Sequence, residues 1–131
     1  MFVDASALGA ILADEDDAEE LESRLGAAAV RLTSGLALYE AALAIARILQ
    51  IDLATSIAKV AAYRELVQLR LVAIGEPEAL AALDAFARFG KGRHRAGLNM
   101  GDCFAYACAR TNGVPLLYKG EDFALTDVVA A

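Results

Sequence analysis

Four acidic side chains stand at positions of this sequence where apolar or helix-capping residues are the usual choice. Asp4 ends the apolar run Met1–Val3, and Glu40 interrupts an apolar helical pattern. Asp102 opens a further helical segment, and Asp122 follows a strand-like segment near the carboxyl end. Carboxylates at strand ends and in first helical turns can converge on one hard cation, although they are far apart in sequence. The pattern is typical of a Mg²⁺ or Mn²⁺ site for phosphodiester chemistry.

The elements that must position these acids alternate along the chain. Predicted strands cover residues 1–4, 29–32, 71–74, 116–118 and, as a short last one, 128–129. Predicted helices cover residues 6–13 with Ser6 as a possible N-cap, 17–25, 52–69, 78–89 and 101–110, and a long helix that Thr33-Ser34 caps runs to about residue 50. Strands separated by helices pair in parallel, which predicts one domain, 1–131, with an α/β fold: a three-layer α/β/α sandwich around a short, mostly parallel sheet. Ligands collect at the carboxyl ends of such strands, where all four carboxylates are expected.

The composition points to a self-association or partner face. Apolar residues make up 58% of the 131 residues, and 30 residues are alanine. A chain of this size cannot bury that much apolar surface alone, which favours a homodimer or a bound partner. The alternative is that many alanines lie on exposed helix faces, where they are tolerated. We expect the apolar face on the long helices 36–50 and 53–69.

The cysteines and the apolar runs favour a reduced, cytoplasmic location. Cys103 and Cys108 lie on one predicted helix and point about 140° apart, so they cannot pair with each other. No Cys/His spacing typical of a metal site is present. The most apolar stretch, 36–51, carries Glu40 and Arg47, so no membrane span is expected, and no secretory signal is visible.

Charge is unevenly distributed along the chain. The net charge of −6 argues against simple electrostatic binding of nucleic acid. An acidic block occupies 14–22, and a basic block lies just before Asp102. The basic block consists of Arg88, Lys91, Arg93, His94 and Arg95. It is either a solvated loop or a contact surface for a phosphate backbone beside the acidic centre.

Each acid taken alone also has an ordinary structural interpretation. Asp4 could cap the first helix, and Asp102 could be a first-turn acid that forms a capping box with Asn99. Asp122 could be a turn residue. Glu40 is harder to explain in this way, because a Glu among apolar helix residues is rarely buried unless it is paired or bound to metal. The four acids together, at equivalent ends of elements, favour a common site.

Four segments around these acids resemble the motifs of PIN-domain ribonucleases. They are Phe2–Leu8, Thr33–Ser34 followed by Tyr39–Glu40, Leu98–Ala107, and Leu116–Phe123. The third is the most specific, and the order, spacing and length are similar to those of VapC-type toxins of bacterial toxin–antitoxin pairs.

This resemblance implies a Mg²⁺- or Mn²⁺-dependent endoribonuclease with Asp4, Glu40, Asp102 and Asp122 as the catalytic, metal-binding acids. Ser6 and Asn99 match supporting polar residues. Glu121 precedes Asp122 directly, so either could serve as the fourth acid, and Asp122 is favoured because it stands just before a phenylalanine.

The resemblance also implies partners for the chain. They are an RNA substrate and a cognate VapB-like antitoxin, which would form a hetero-oligomer with the homodimer that the apolar excess predicts. In this interpretation Lys91, Arg93 and Arg95 hold RNA phosphates, and a basic residue of the antitoxin can enter the acidic site.

Three other functions fit parts of the pattern. A phosphoacceptor receiver domain needs an acidic pair after the first strand, and a haloacid-dehalogenase-type phosphatase needs Asp-x-Asp, whereas Asp4-Ala5-Ser6 offers one acid. A non-catalytic PIN-like module that binds RNA or protein is the main alternative. Such a module is expected to lose one of the four acids, and none is missing.

Overall fold

The fold is a short parallel sheet covered by helices on both faces. A computed structural model describes all 131 residues. The strands are β1 (Phe2–Val3), β2 (Leu32–Ser34), β3 (Arg70–Val72) and β4 (Leu116–Leu117). The helices are α1 (Ala5–Leu12), α2 (Ala18–Ala27), α3 (Gly35–Leu49), α4 (Leu53–Leu66), α5 (Glu76–Phe89), α6 (Met100–Thr111) and a 3₁₀ turn, Phe123–Leu125.

The sheet has the strand order β3-β2-β1-β4, and all three pairings are parallel. Residues that alternate along a strand face opposite layers. Phe2 therefore packs with α5 and α6, whereas Val3 packs with helices α1 to α4. The predicted three-layer α/β/α sandwich is confirmed. Because the strands are parallel, their carboxyl ends all lie at one edge of the sheet. Asp4 follows β1 at this edge, and Lys119 lies just beyond β4.

Strand β2 lies further along the chain than the predicted 29–32. Thr33 and Ser34 are buried and run beside Leu71 and Val72 of β3, so these two polar residues belong to the sheet. The Thr33 hydroxyl donates to the carbonyl of Val3 at 3.0 Å, and the Ser34 hydroxyl accepts from the backbone N–H of Ala37 at 3.1 Å. Both hydroxyls form hydrogen bonds within the protein, so burying these polar side chains leaves no hydrogen-bonding group without a partner.

Other boundaries differ by a few residues. Helix α1 begins at Ala5 with Asp4 as its N-cap, so the prediction that Ser6 could cap this helix was wrong. Helix α2 continues through Gly26 to Ala27. The predicted strand at 128–129 is reduced to an isolated bridge between Leu116 and Ala130. None of the helices combines the length and apolar character needed to cross a membrane.

Candidate active site

Asp4 is a buried carboxylate at the carboxyl end of β1. Its side chain is only 4% exposed, and its Oδ2 accepts from the Ser6 backbone N–H at 3.0 Å and from the Ser6 hydroxyl at 2.5 Å. The Ser6 hydroxyl in turn accepts from the Lys119 backbone N–H at 3.0 Å. Ser6 therefore joins the ends of β1 and β4. The groups that hydrogen-bond to Asp4 are neutral, so none of them balances its negative charge.

Glu40 reaches the same place from α3. Ser34 caps α3 at its N-terminus, and this fixes the first turns of the helix relative to β2. The Glu40 carboxylate packs against Gly101 of α6 so closely that a Cβ at residue 101 would overlap it. The backbone of α6 can approach Glu40 only because residue 101 has no side chain.

Asp102 is held by a reciprocal cap at the start of α6. Its Oδ2 accepts from the Asn99 backbone N–H at 2.8 Å, and the Asn99 side-chain oxygen accepts from the Asp102 N–H at 3.0 Å. The capping interpretation of this pair is thus correct as a description of the local structure. It also holds the carboxylate beside the other acids, so the cap and a catalytic role are compatible.

One cavity of about 420 Å³ brings these residues together. Its polar lining consists of Asp4, Ser6, Glu15, Glu40, Asp102 and Lys119. Three of the four predicted acids therefore share one cavity with the predicted supporting serine. Asn99 does not line it and contributes through the cap of α6.

Burial raises the pKa values of three acids in the cavity, and neighbouring charges add to this at Glu40 and Asp102. Burial raises the pKa of Asp4, against the hydrogen bonds from Ser6. Burial, followed by the charges of Asp4 and Asp102, raises the pKa of Glu40 to about 7. Burial also dominates at Asp102, where the charges of Asp4 and Asp122 add to it and the pKa reaches about 6 despite the bond from Asn99. Such a cluster is poorly stabilised as separate anions.

Asp122 lies at the rim of the site. It is exposed, it immediately precedes the 3₁₀ turn, and its charge raises the pKa of Asp102. It does not line the cavity. Glu121 is also exposed and has no such effect on Asp102, so the electrostatics favour Asp122 over its neighbour as the fourth acid.

The predicted RNA-binding residues lie outside the cavity. Lys91, Arg93 and Arg95 are exposed on the turn that leads into α6, and Arg93 lies 5.2 Å over the ring of Phe86. The turn is tied by a bridge between Gly90 and Leu98. None of these three side chains therefore lines the cavity that holds the acids.

The donor set fits a hard divalent cation. Carboxylate oxygens are the ligands that Mg²⁺ and Mn²⁺ prefer, and the buried Asp4 carboxylate has no cationic partner that would balance its charge. No three His, Cys, Asp or Glu side chains already form a closed group around one point. Coordination of an ion would therefore draw in a flexible side chain, and Glu40 has the most rotatable bonds of the three predicted metal ligands that line the cavity.

Sequence reasoning missed three residues of this site. Lys119 contributes the basic side chain in the cavity lining, Glu15 contributes an additional carboxylate, and Gly101 provides the space for Glu40. Glu15 was visible as part of the acidic block. Lys119 gave no local signal, because its partners Glu15 and Ser6 lie more than 100 residues away in sequence.

Comparison with known proteins identifies the class to which this fold and site belong. Residues 1–129 match the PIN domain family, and the chain belongs to that family. Within it, the chain is 47% identical over 136 residues to a ribonuclease VapC of Mycolicibacterium smegmatis, with 99% of this chain and 98% of the relative covered.

Further relatives carry the same name. Ribonuclease VapC30 of Mycobacterium tuberculosis is 46% identical, covering 98% of this chain and 95% of the relative. A VapC ribonuclease of Rhizobium meliloti is 42% identical, covering 97% and 98%. Among solved structures, the sarcin–ricin loop cleaving toxin VapC20 of Mycobacterium tuberculosis superposes with a TM-score of 0.78 at 19% identity, covering 99% of this chain and 97% of that one. At this low sequence identity, the similarity to VapC20 shows a shared fold alone.

Proposed function

We propose that this protein is a metal-dependent endoribonuclease, the toxin component of a toxin–antitoxin pair. The observation that carries the proposal is the single cavity lined by Asp4, Glu40 and Asp102, with Asp122 at its rim, in a chain whose full-length relatives are named VapC ribonucleases. A non-catalytic binding module would have no need to keep this costly set of mutually repelling carboxylates.

The residues divide the chemical work as follows. Asp4, Glu40, Asp102 and Asp122 would hold Mg²⁺ or Mn²⁺, which when bound supplies charge neutralisation and a water of lowered pKa for hydrolysis of an RNA phosphodiester. Ser6 orients the Asp4 carboxylate through its 2.5 Å hydrogen bond. Asn99 fixes Asp102 through the cap of α6. Lys91, Arg93 and Arg95 are placed to contact flanking phosphates.

The partner proposal rests on helix α3, which borders two cavities. Glu40, Ala44 and Ile48 line the acidic cavity, whereas Tyr39 and Leu43 line an apolar groove of about 390 Å³ shared with α4. A helix bound in that groove would run beside the acids, as expected for a VapB-like antitoxin that places a basic residue in the site. This would occupy the face on which the sequence predicted a dimer.

A second apolar surface suits the homodimer better. Its groove is formed by α5 and α6 and has no charged lining residue. Leu83 and Met100 on this surface are 65% and 66% exposed. We therefore propose the α5–α6 surface for a second copy and the α3–α4 groove for the antitoxin.

Both cysteines are free and buried, consistent with the proposed cytoplasmic location.

The decisive experiment is cleavage of a mixed RNA pool by the purified protein and by Asp102→Asn, with Mg²⁺ or Mn²⁺ and with excess chelator. Asparagine keeps an oxygen that can accept from Asn99, so the fold is expected to survive. We expect wild-type cleavage to require metal and to fall at least about a hundredfold in the variant, equivalent to ~3 kcal/mol of transition-state stabilisation.

Two neighbouring acids provide the matched control. Asp122→Asn is expected to impair cleavage, whereas Glu121→Gln, which removes the same charge one residue earlier, is expected to leave it within about threefold, under 1 kcal/mol. Full activity of Asp102→Asn, or cleavage that persists in chelator, would show that the carboxylates are not the catalytic centre.

A further inference from the structure

The cation in the acidic cavity is Lys119, and its side chain is already engaged. Lys119 Nζ forms ion pairs with Glu15 and, at 3.0 Å, with Asp17, both on the connection between α1 and α2. The three side chains are about one-third exposed, at 35%, 31% and 36%. The ammonium is thus reachable from solvent and from the cavity that Lys119 lines.

The backbone of Lys119 has a fixed position relative to the catalytic acids. Its N–H donates to the Ser6 hydroxyl, and that hydroxyl donates to Asp4. Lys119 lies two residues beyond the end of β4, so the sheet edge and this hydrogen-bond chain both restrain its backbone. The side chain, in contrast, has four rotatable bonds, and only two partly exposed ion pairs restrain it. Pairs of this kind contribute little net stability and exchange readily.

We propose that Lys119 is a substrate-binding residue of this active site, which Glu15 and Asp17 hold while the site is empty and which transfers to a phosphate of single-stranded RNA when substrate enters. This inference rests on the proposed ribonuclease function. The other charged residues that line the cavity are all carboxylates, which repel an RNA backbone. An ammonium group moving from two carboxylates to a phosphate keeps its charge paired throughout, and it adds positive charge where the scissile strand must lie.

A substrate-binding role and a purely structural role of Lys119 predict opposite effects on RNA affinity when Glu15 and Asp17 lose their charges. If the ion pairs only fasten the α1–α2 connection to the end of β4, removing either side of them is equally harmful. If Lys119 binds substrate, loss of the lysine weakens RNA binding, whereas loss of its two carboxylate partners strengthens it. Glu15→Gln with Asp17→Asn therefore separates the two roles.

The test measures RNA affinity and cleavage together. Anisotropy of a short fluorescein-labelled single-stranded RNA of mixed sequence is measured with Mg²⁺ or Mn²⁺ in the non-cleaving Asp102→Asn background, and kcat and KM are measured without that substitution. We expect Lys119→Met to weaken affinity about fivefold to tenfold at low salt and to reduce the slope of log affinity against log salt by about 0.7, the contribution of one phosphate contact to a single strand. Lys119→Arg should restore most of the affinity.

The paired variant and its controls complete the design. Glu15→Gln/Asp17→Asn is expected to tighten binding about threefold or more, and the gain should vanish when Lys119→Met is added. Asp16→Asn/Glu19→Gln removes the same charge from exposed neighbours that do not contact Lys119, and should give a smaller gain that persists with Lys119→Met. Lys59→Met on α4 removes one exposed lysine elsewhere and should leave affinity unchanged.

Three results would overturn the proposal. Unchanged affinity and salt slope in Lys119→Met would exclude a phosphate contact. Equal weakening in Lys119→Met and in Glu15→Gln/Asp17→Asn would make the contacts structural. An equal gain in both paired acid variants would reduce the effect to net charge. If the folded wild-type protein cleaves no RNA, the ribonuclease proposal itself fails and this one falls with it, whereas wild-type cleavage with any of the first three results refutes the Lys119 role alone.

Discussion

Gly101 shows how a single residue without a side chain positions the Glu40 carboxylate, which we propose to be catalytic. The Glu40 carboxylate lies against the Gly101 backbone, where any Cβ would overlap it. Gly101 is in the first turn of α6 and is not among the residues with positive φ. Alanine is therefore compatible with the backbone, and it favours a helix over glycine by about 1 kcal/mol. The added Cβ would overlap the Glu40 carboxylate, so the flexible Glu40 side chain must rotate away.

We expect Gly101→Ala to separate stability from activity. Metal-dependent cleavage should fall by about tenfold or more, because Glu40 leaves its place among the acids, while the thermal midpoint stays the same or rises. Gly26→Ala in α2, where a Cβ meets no other atom, is the matched control and should keep full activity. Retained cleavage in Gly101→Ala would mean that the position of Glu40 against α6 is not needed for turnover.

At the scale of elements, strand identity and site edge were predictable, whereas contacts between distant segments were not. The alternation of apolar strands and helices predicted the parallel sheet, and Asp4 and Asp102 were placed correctly at its carboxyl edge. Strand β2 was misplaced because Ser34 both ends the strand and caps α3, so its cap character hid its place in the sheet. The burial of Thr33 depends on a hydrogen bond to the distant Val3. Lys119 was missed because only the folded chain brings it to Ser6 and Glu15.

The two apolar helix surfaces carry a prediction about assembly. We expect the wild-type protein to sediment as a dimer, Leu83→Arg on α5 to sediment as a monomer, and Leu43→Arg on α3 to remain dimeric. Both leucines are partly exposed, at 65% and 43%, so charge is tolerated in the monomer, but it is costly in a buried apolar interface. Analytical ultracentrifugation checks this, with the thermal midpoint as a control for folding. The reverse pattern would return the dimer to the α3–α4 surface that the sequence predicted.

Across the whole molecule, carboxyl pKa values are shifted in opposite directions at two places, around Asp127 and in the acidic cavity. Asp127 does not line the acidic cavity. It forms an ion pair with Arg88 at 2.7 Å and accepts from the Tyr106 hydroxyl at 2.7 Å, and these contacts join α5, α6 and the carboxyl-terminal segment. Arg88, followed by Tyr106, lowers the pKa of Asp127 to about 2. At the acidic cavity, the pKa values of Glu40 and Asp102 are raised instead, to about 7 and about 6.

These shifts set the pH dependence of stability when metal is removed. Glu40 and Asp102 bind protons more tightly in the folded state than in the unfolded chain, so in chelator the free energy of unfolding should fall as pH rises from about 4 to about 7 and level off above that. Asp127 acts in the opposite sense, because its contribution is present above about pH 4 and is lost as pH falls towards about 2. Stability of the metal-free protein should therefore be greatest near about pH 4 to 5.

Divalent cations should remove the upper part of this dependence, because they bind the deprotonated carboxylates of the folded state. We expect Mg²⁺ or Mn²⁺ to raise the thermal midpoint more at about pH 8 than at about pH 5, and Glu40→Gln to flatten the pH profile in chelator. Glu19→Gln, on the exposed face of α2, is the control and should leave the profile unchanged. A metal-free protein whose stability rises with pH through this window would contradict the mutual repulsion of the acids, and with it the physical reason why this cavity should select a cation.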